Sequence, residues 1–81
     1  MPLDPALHAR IDGLVRSHRV VLFMKGDRRT PRCGFSATAA RALDGLVDDY
    51  VTVDVLADDD VRQGIKEYGN WPTIPQLYID G

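Results

Sequence analysis

The sequence predicts a single small α/β domain over residues 1–81, with helices on the faces of a β-sheet. Three observations predict this class. Helical periodicities alternate along the chain with short strand-like segments, 81 residues are enough for one domain only, and no repeat or linker divides them. The predicted order is helix–strand–helix–strand–helix–strand, which indicates βαβ crossover connections.

The first helix is predicted to begin after Asp4. This residue is a favoured N-cap, and Pro5 suits the first helical position because its missing N–H would have no partner there. Apolar residues then recur at helical spacing, namely Leu7, Ile11, Leu14 and Val15. We therefore expect one face of this helix to be buried.

Two further elements are predicted on either side of a polar loop. Val20–Met24 is a continuous apolar run that begins with β-branched residues, which is typical of a strand buried on both faces. Residues 25–32 are rich in Gly, Pro and Arg and form the loop. From Gly34, apolar residues again follow the spacing of a helix: Phe35, Ala39, Ala42, Leu43 and Leu46.

The second half of the chain predicts a strand, a helix and a last strand. Tyr50–Val55 alternates and is rich in β-branched residues, which favours a strand, and Gln76–Ile79 is a second such segment. The acidic run 58–60 favours a helix N-terminus, and Gly69 is a typical helix stop. The buried face of this helix is expected to contain Val61, Ile65 and Tyr68. Asp80-Gly81 is a hairpin signal with no strand after it, so an exposed edge strand or a truncated domain is indicated, and truncation is favoured.

Composition excludes several classes of protein. The net charge of −2 argues against a nucleic-acid module, and no apolar run approaches the roughly 18 residues of a membrane span. One cysteine rules out an internal disulfide and an all-cysteine metal site within one chain. The two histidines have no partner at ligand spacing, so zinc is not expected. A reducing, cytoplasmic location is the natural expectation.

Cys33 is the candidate reactive residue. It precedes the second helix, where unpaired N–H groups and the helix dipole can lower a thiol pKa from about 8.5 to about 3.5–7.5. Arginine and lysine side chains of the preceding loop add positive potential: Lys25, Arg28, Arg29 and Arg32. An inert buried cysteine is the alternative, which the polar loop disfavours. A resolving thiol would stand at position 36, but Ser36 occupies it, so a second thiol must come from outside, and glutathione is the abundant candidate.

Two other patterns each allow two interpretations. Arg62 and Lys66, four residues apart, form either a clamp for a ligand carboxylate or a solvated helix face with Arg62 paired to Asp58; spacing alone favours the solvated face. The segment 71–76 contains two prolines and forms a rigid loop. If Ile74–Pro75 were cis, its turned backbone would present hydrogen-bonding groups to an extended peptide-like ligand.

Four stretches in order resemble one family: Phe23–Gly26, Cys33–Ser36, Arg62–Lys66 and Asn70–Gln76. The chain resembles the monothiol glutaredoxins with a Cys-Gly-Phe-Ser active site, which have a thioredoxin-like fold, a three-layer sandwich. The resemblance implies that the chain is truncated before the last strand and C-terminal helix, and so lacks the Asp that holds the γ-glutamyl end of glutathione. Arg28 stands where members often have a proline.

The resemblance also implies a glutathione site. Its expected residues are Lys25, Cys33, Gly34, Phe35, Arg62, Lys66, Trp71, Thr73, Ile74 and Pro75. Cys33 would face the glutathione thiol, and the three cations would bind the glycine carboxylate, which reverses the interpretation of the Arg62/Lys66 pair. The Ile74–Pro75 bond would be cis, and the main chain of Thr73 and Ile74 would bind the cysteine portion. Phe35 and Trp71 would flank the site.

The expected function is transport of a [2Fe–2S] cluster. Such a cluster takes four thiolates, which Cys33 and one glutathione from each of two chains would supply. The resemblance thus implies a cluster-bridged homodimer with Cys33 as the metal ligand, and iron–sulfur donor or recipient proteins as partners. The alternative is a glutathione-dependent thiol-disulfide oxidoreductase, in which Cys33 attacks protein–glutathione mixed disulfides. A non-catalytic thioredoxin-like binding module is the third possibility.

Overall fold

In the computed structural model, which describes residues 4–81, three helices and three strands alternate along the chain. The elements are α1 (Pro5–Arg16), β1 (Val20–Met24), α2 (Gly34–Leu46), β2 (Val51–Asp54), α3 (Asp59–Tyr68) and β3 (Gln76–Ile79). The predicted order is confirmed. The strand predicted at Tyr50–Val55 is shorter because its pairing with β1 covers only Val51–Asp54.

The sheet is mixed, with strand order β2-β1-β3. β1 runs parallel to β2, with Val21 opposite Val51, and antiparallel to β3, with Val20 opposite Ile79. α2 is the crossover between the two parallel strands, as the alternation of elements predicts. All five residues of central β1 are buried, which explains why its sequence is apolar throughout.

Helices cover both faces of this sheet. On one face α1 and α3 pack against the side chains of Val21 and Phe23. On the other face α2 packs against the alternate side chains of Val20, Leu22 and Met24. The predicted three-layer sandwich is therefore confirmed.

The buried face of α2 differs from the predicted stripe. Its buried residues are Ser36, Ala40 and Leu43. Most of the apolar stripe expected from the sequence faces away from the sheet, with Phe35 77% and Leu46 80% exposed. Both rows have helical spacing and differ by one residue in register, so periodicity alone does not decide between them. The row with a serine and an alanine approaches β1.

Capping interactions fix the helix ends. The Asp4 side chain accepts a hydrogen bond from the N–H of Leu7 at 3.1 Å, and Asp58 accepts one from the N–H of Val61 at 3.2 Å. Gly69 is the C-cap of α3, as predicted, but the left-handed residue is Asn70, with φ 50°. Glycine suits position 69 because a side chain there would overlap Tyr78 and Gln76.

Two further observations concern the backbone after β3 and the length of the helices. Asp80 and Gly81 both have positive φ, 56° and 94°, as a type I′ hairpin turn requires. No helix within residues 4–81 is both long enough and apolar enough to cross a bilayer.

Candidate functional site

The loop between β1 and α2 is held in one conformation by its own hydrogen bonds. The Asp27 carboxylate accepts from the N–H groups of Arg29 and Thr30, both at 2.8 Å, and the Arg32 N–H donates to the Lys25 carbonyl at 2.8 Å. Gly26 has φ +87°, and a Cβ there would overlap the Thr30 carbonyl. These contacts therefore fix the backbone path from β1 to the start of α2.

The start of this loop is also tied to the neighbouring elements. The Lys25 N–H donates to Ser36 Oγ at 3.0 Å, and the Gly26 N–H donates to Asp54 Oδ1 at 2.9 Å. Ser36 is fully buried, and Asp54 also accepts from the N–H of Leu56. The end of β1 is thus joined to the first turn of α2 and to the end of β2.

Cys33 is the N-cap residue of α2 and its thiol is free and half-buried. The pKa of this thiol is lowered, chiefly by the backbone N–H groups of Ser36 and Phe35, with smaller contributions from the charge of Lys25 and the Ser36 hydroxyl; burial opposes them. The Cys33 side chain accepts no capping hydrogen bond at the start of α2. The N–H groups therefore lower the thiol pKa through their proximity. These features favour the reactive thiol over an inert buried cysteine.

A groove of about 680 Å³ opens beside Cys33, between α2, α3 and the segment 72–75. Eight of the ten residues expected at the glutathione site line it: Lys25, Cys33, Phe35, Arg62, Lys66, Thr73, Ile74 and Pro75. Gly34 and Trp71 are outside this lining. The groove also contains Thr38, Ala39 and Ala42 of α2, which were not among the residues expected at the site. For the two alanines, the signal was the apolar row that begins at Phe35; the sequence gives no such signal for Thr38.

Arg62 and Lys66 line the groove on the same side, and the alternative pairing of Arg62 is absent. Asp58, its expected partner, instead forms an ion pair with Arg10. Within residues 4–81, neither Arg62, Lys66 nor Lys25 has a carboxylate within 4 Å. Arg62 Nε is buried and lacks a hydrogen-bond partner among those residues. An unpartnered buried guanidinium nitrogen costs free energy, which an anionic ligand would recover.

The opposite wall is formed by the loop before β3. Its Ile74–Pro75 peptide bond is cis, as the resemblance implies. Ile74 is only 8% exposed, and within the described chain its N–H and C=O have no hydrogen-bond partner. The Thr73 carbonyl, in contrast, accepts a hydrogen bond from Gln76 Nε2 at 3.2 Å. The main-chain groups that remain for a ligand are therefore those of Ile74 and the N–H of Thr73.

The two aromatic candidates are exposed, and Arg28 is paired with a carboxylate. Phe35 and Trp71 are 77% and 60% exposed. Arg28, expected to add positive potential beside the thiol, instead pairs with Asp44 at 2.7 Å and stacks over the Tyr50 ring, because its side chain reaches α2. Within residues 4–81 no three His, Cys, Asp or Glu side chains converge to hold a metal ion.

Comparison with known proteins identifies the family. The sequence profile of the glutaredoxin family matches residues 20–81. The chain is 54% identical to the chloroplastic monothiol glutaredoxin-S7 of rice (Oryza sativa subsp. japonica) over 79 residues, which are 98% of this chain and 47% of the rice protein. It is 52% identical to the ycf64-like monothiol glutaredoxin of Synechocystis over 79 residues, which are 98% of this chain and 74% of that protein.

The solved structures agree. The solution structure of reduced apo GrxS14 from poplar superposes with a TM-score of 0.78 at 52% identity, over 100% of this chain and 74% of the poplar chain. The chain thus spans about half the length of the rice relative and three quarters of the other two. With a matching family profile, a matching fold and one cysteine at the head of α2, this chain belongs to the glutaredoxin family, among its monothiol members.

Proposed function

We propose that this chain binds glutathione in the groove beside Cys33 and, together with a second copy and a second glutathione, carries a [2Fe–2S] cluster. One observation carries the proposal: an accessible thiol of lowered pKa and the unpaired cations of α3 line the same groove. Glutathione is an anionic peptide with a thiol in its middle, so it complements both ends of this groove.

The groove offers a partner for each part of the ligand. Arg62, Lys66 and Lys25 would bind the terminal glycine carboxylate, because a guanidinium donates two parallel hydrogen bonds to a carboxylate. The main chain of Ile74 would pair with the cysteine residue of glutathione in the manner of an added β-strand. This pairing would bring the ligand thiol to Cys33.

Counting thiolates extends the proposal to the cluster. A [2Fe–2S] cluster takes four, and the chain contains only Cys33. Cys33 fits the role of ligand because the thiolate, the form that binds metal, is favoured by the N–H groups of α2. Two chains and two glutathione molecules complete the set. Because position 36 is a serine, the chain has no second thiol that could form a disulfide with Cys33 in place of cluster binding.

The partners and location follow from this role. Proteins that donate or accept iron–sulfur clusters would be the partners of the dimer. A free, half-exposed cysteine suits a reducing compartment, and we propose the cytoplasm.

The lowered thiol pKa also favours a second candidate function, monothiol reduction of protein–glutathione mixed disulfides. The Cys33 thiolate would attack the glutathione sulfur and release the protein thiolate. A second glutathione thiolate would then attack the Cys33–glutathione disulfide, which releases glutathione disulfide and restores Cys33. This route needs the same groove but no second copy of the chain.

Anaerobic reconstitution with iron, sulfide and glutathione separates the two functions. We expect a coloured dimer on a sizing column whose absorption requires both glutathione and Cys33, and which Cys33→Ser abolishes. A colourless monomer that rapidly reduces a glutathionylated peptide would establish the second function instead. If Cys33→Ser keeps both cluster binding and reduction of the glutathionylated peptide, both proposed functions are contradicted.

A paired-variant titration tests the groove itself. Arg62→Gln should weaken glutathione binding about tenfold, the size of one charged hydrogen-bond pair. Arg16→Gln, whose arginine already pairs with Asp12, is the matched control and should bind like the wild type. Equal affinity of both variants would contradict binding at this groove.

A further inference from the structure

The side chain of Gln76 forms a junction between the loop before β3 and the core. Gln76 is 7% exposed. Its Nε2 donates to the carbonyls of Trp71 at 3.1 Å and Thr73 at 3.2 Å, and its Oε1 accepts from the Tyr78 hydroxyl at 2.8 Å. Both amide protons and the oxygen therefore have partners, as is usual for a buried carboxamide.

The three partners also fix the orientation of this amide. Two backbone carbonyls are acceptors only, so they require the nitrogen end of the carboxamide to face them. The rotated orientation would place Oε1 against two carbonyl oxygens and leave them unpaired. The carboxamide consequently has one favourable arrangement, and the loop carbonyls are fixed relative to it.

Gln76 is in turn anchored to the core. It lies opposite Phe23 in the pairing of β3 with β1. Tyr78, its other partner, packs edge-on against the Phe23 ring at 5.6 Å between centroids, and Phe23 is fully buried. The loop is thus connected through one side chain to the buried central strand of the sheet.

The loop has few other restraints. Within residues 4–81, the main chain of segment 71–75 forms one further hydrogen bond, from the Trp71 N–H to the Lys66 carbonyl at 2.9 Å. Thr73 has no other hydrogen bond there, and Pro72 and Thr73 are exposed. Without the Gln76 side chain, Thr73 would have no hydrogen bond to any of residues 4–81.

We propose that Gln76 is a positioning residue for glutathione, which holds the loop so that the free main-chain groups of Ile74 stay in place to pair with the peptide. The ligand identity rests on the proposed function, whereas the loop restraint does not. Gln76 does not line the groove, so its effect on the ligand is indirect. A loop that is already ordered loses less conformational entropy when the ligand binds.

The test compares Gln76→Met, which keeps the length but removes every side-chain hydrogen bond, with the wild type and with Tyr78→Phe. The second variant removes only the bond to Oε1 and leaves both Nε2 bonds, so it is the matched control. If Gln76→Met fails to fold, Gln76→Glu is used instead. The glutamate side chain keeps the shape and the acceptor oxygen of glutamine but lacks the amide donors.

Three measurements are made on each protein. Backbone order parameters of Trp71, Thr73 and Ile74 are measured by NMR without ligand; they should fall from near 0.85 toward about 0.6 in Gln76→Met. Glutathione affinity, followed by the fluorescence of the single tryptophan, should fall about tenfold. The pH profile of Cys33 alkylation should not move, because the thiol pKa depends on α2 and Lys25. Tyr78→Phe should match the wild type within about twofold in affinity.

The outcomes are distinguishable. If the wild type binds glutathione and Gln76→Met binds it equally well, the positioning role is overturned and the proposed function stands. If the wild type binds no glutathione but Gln76→Met loosens the loop, the proposed function falls and the restraint stands. If Gln76→Met shifts the pH profile of Cys33 alkylation and also loses glutathione affinity, the fold is generally disrupted. That result would overturn the specific positioning role of Gln76.

Discussion

The fully buried hydroxyl of Ser36 accepts a hydrogen bond from the backbone N–H of Lys25 at 3.0 Å. This bond joins the end of β1 to the first turn of α2, and so sets the distance between the cationic loop and the thiol. The same hydroxyl also contributes to the lowered pKa of Cys33. Ser36 therefore does more than leave the site without a second thiol.

Replacement of Ser36 by Ala should weaken both the fold and the thiolate. The Lys25 N–H would lose its partner in a partly buried position, at a cost of about 1–3 kcal/mol in the free energy of unfolding, and the pKa of Cys33 should rise. Urea denaturation and the alkylation rate at pH 7 measure the two effects. Ser17→Ala, which removes an exposed hydroxyl, is the control and should change stability by no more than about 0.5 kcal/mol. An unchanged alkylation rate in Ser36→Ala would exclude a role for the hydroxyl in thiolate formation.

The alkylation of Cys33 should show a midpoint below that of the same thiol in the unfolded chain. The pKa of Cys33 is lowered in the fold, so the thiolate persists to lower pH than in a free cysteine. By linkage, this contribution to stability is present above the unfolded pKa and is lost as the pH falls through the folded value. Iodoacetamide kinetics from pH 4 to pH 10, with and without urea, give both midpoints. Coincident midpoints would mean that α2 does not favour the thiolate.

Two glycines should respond to alanine in opposite directions. Gly26 has φ +87° and no room for a side chain, so Gly26→Ala should lower the free energy of unfolding by at least about 1–2 kcal/mol. Gly13 lies within α1 with nothing within 4 Å of a new Cβ, so Gly13→Ala should raise it by about 1 kcal/mol. Thermal denaturation of both variants checks the pair. A stabilising Gly26→Ala would contradict the loop conformation described above.

Stability should fall in acid, and tyrosine hydroxyls should set part of the slope. The pKa of Asp44 is lowered chiefly by the Tyr50 hydroxyl, and that of Asp12 chiefly by the Tyr68 hydroxyl. Both folded values lie below the ordinary 3.8, so their stabilisation is present above that pH and is lost as the pH falls through the folded values.

Urea denaturation between pH 7 and pH 2.5 measures this slope. Tyr50→Phe should flatten it by removing the donor to Asp44. Tyr78→Phe is the matched control, because that hydroxyl donates to Gln76 rather than to a carboxylate, and its slope should equal that of the wild type. Identical slopes in all three proteins would contradict the assigned cause of the Asp44 shift.

The fold was predictable wherever local chemistry leaves one choice. Five consecutive apolar residues at Val20–Met24 correctly predicted a strand covered on both faces, and Asp4 and Asp58 correctly predicted helix starts. The buried face of α2 was not predictable from periodicity, because two rows of helical spacing compete. Which row approaches the sheet depends on the tertiary packing against β1.

Most of the residues expected at the candidate site line one groove, but the residues that support this groove were not predictable. Local context identified Cys33 and left two interpretations open for the Arg62/Lys66 pair and for the Ile74–Pro75 bond, and the resemblance decided between them. The sequence did not indicate the roles of Gln76 and Asp54, because these roles arise from hydrogen bonds between distant or folded-back segments. A glutamine at the start of a strand has no spacing that distinguishes it from any other polar residue.

The unpaired cations of the groove have a kinetic consequence. The whole chain has a net charge of −2 and would repel an anion at long range, yet Lys25, Arg62 and Lys66 give one face a local positive potential. Fields of this kind increase association rates and are screened by salt over about 8–10 Å. The association rate of an anionic tripeptide with the groove should therefore decrease as the ionic strength rises. This is the behaviour of a positively charged protein, although the net charge of this chain is negative.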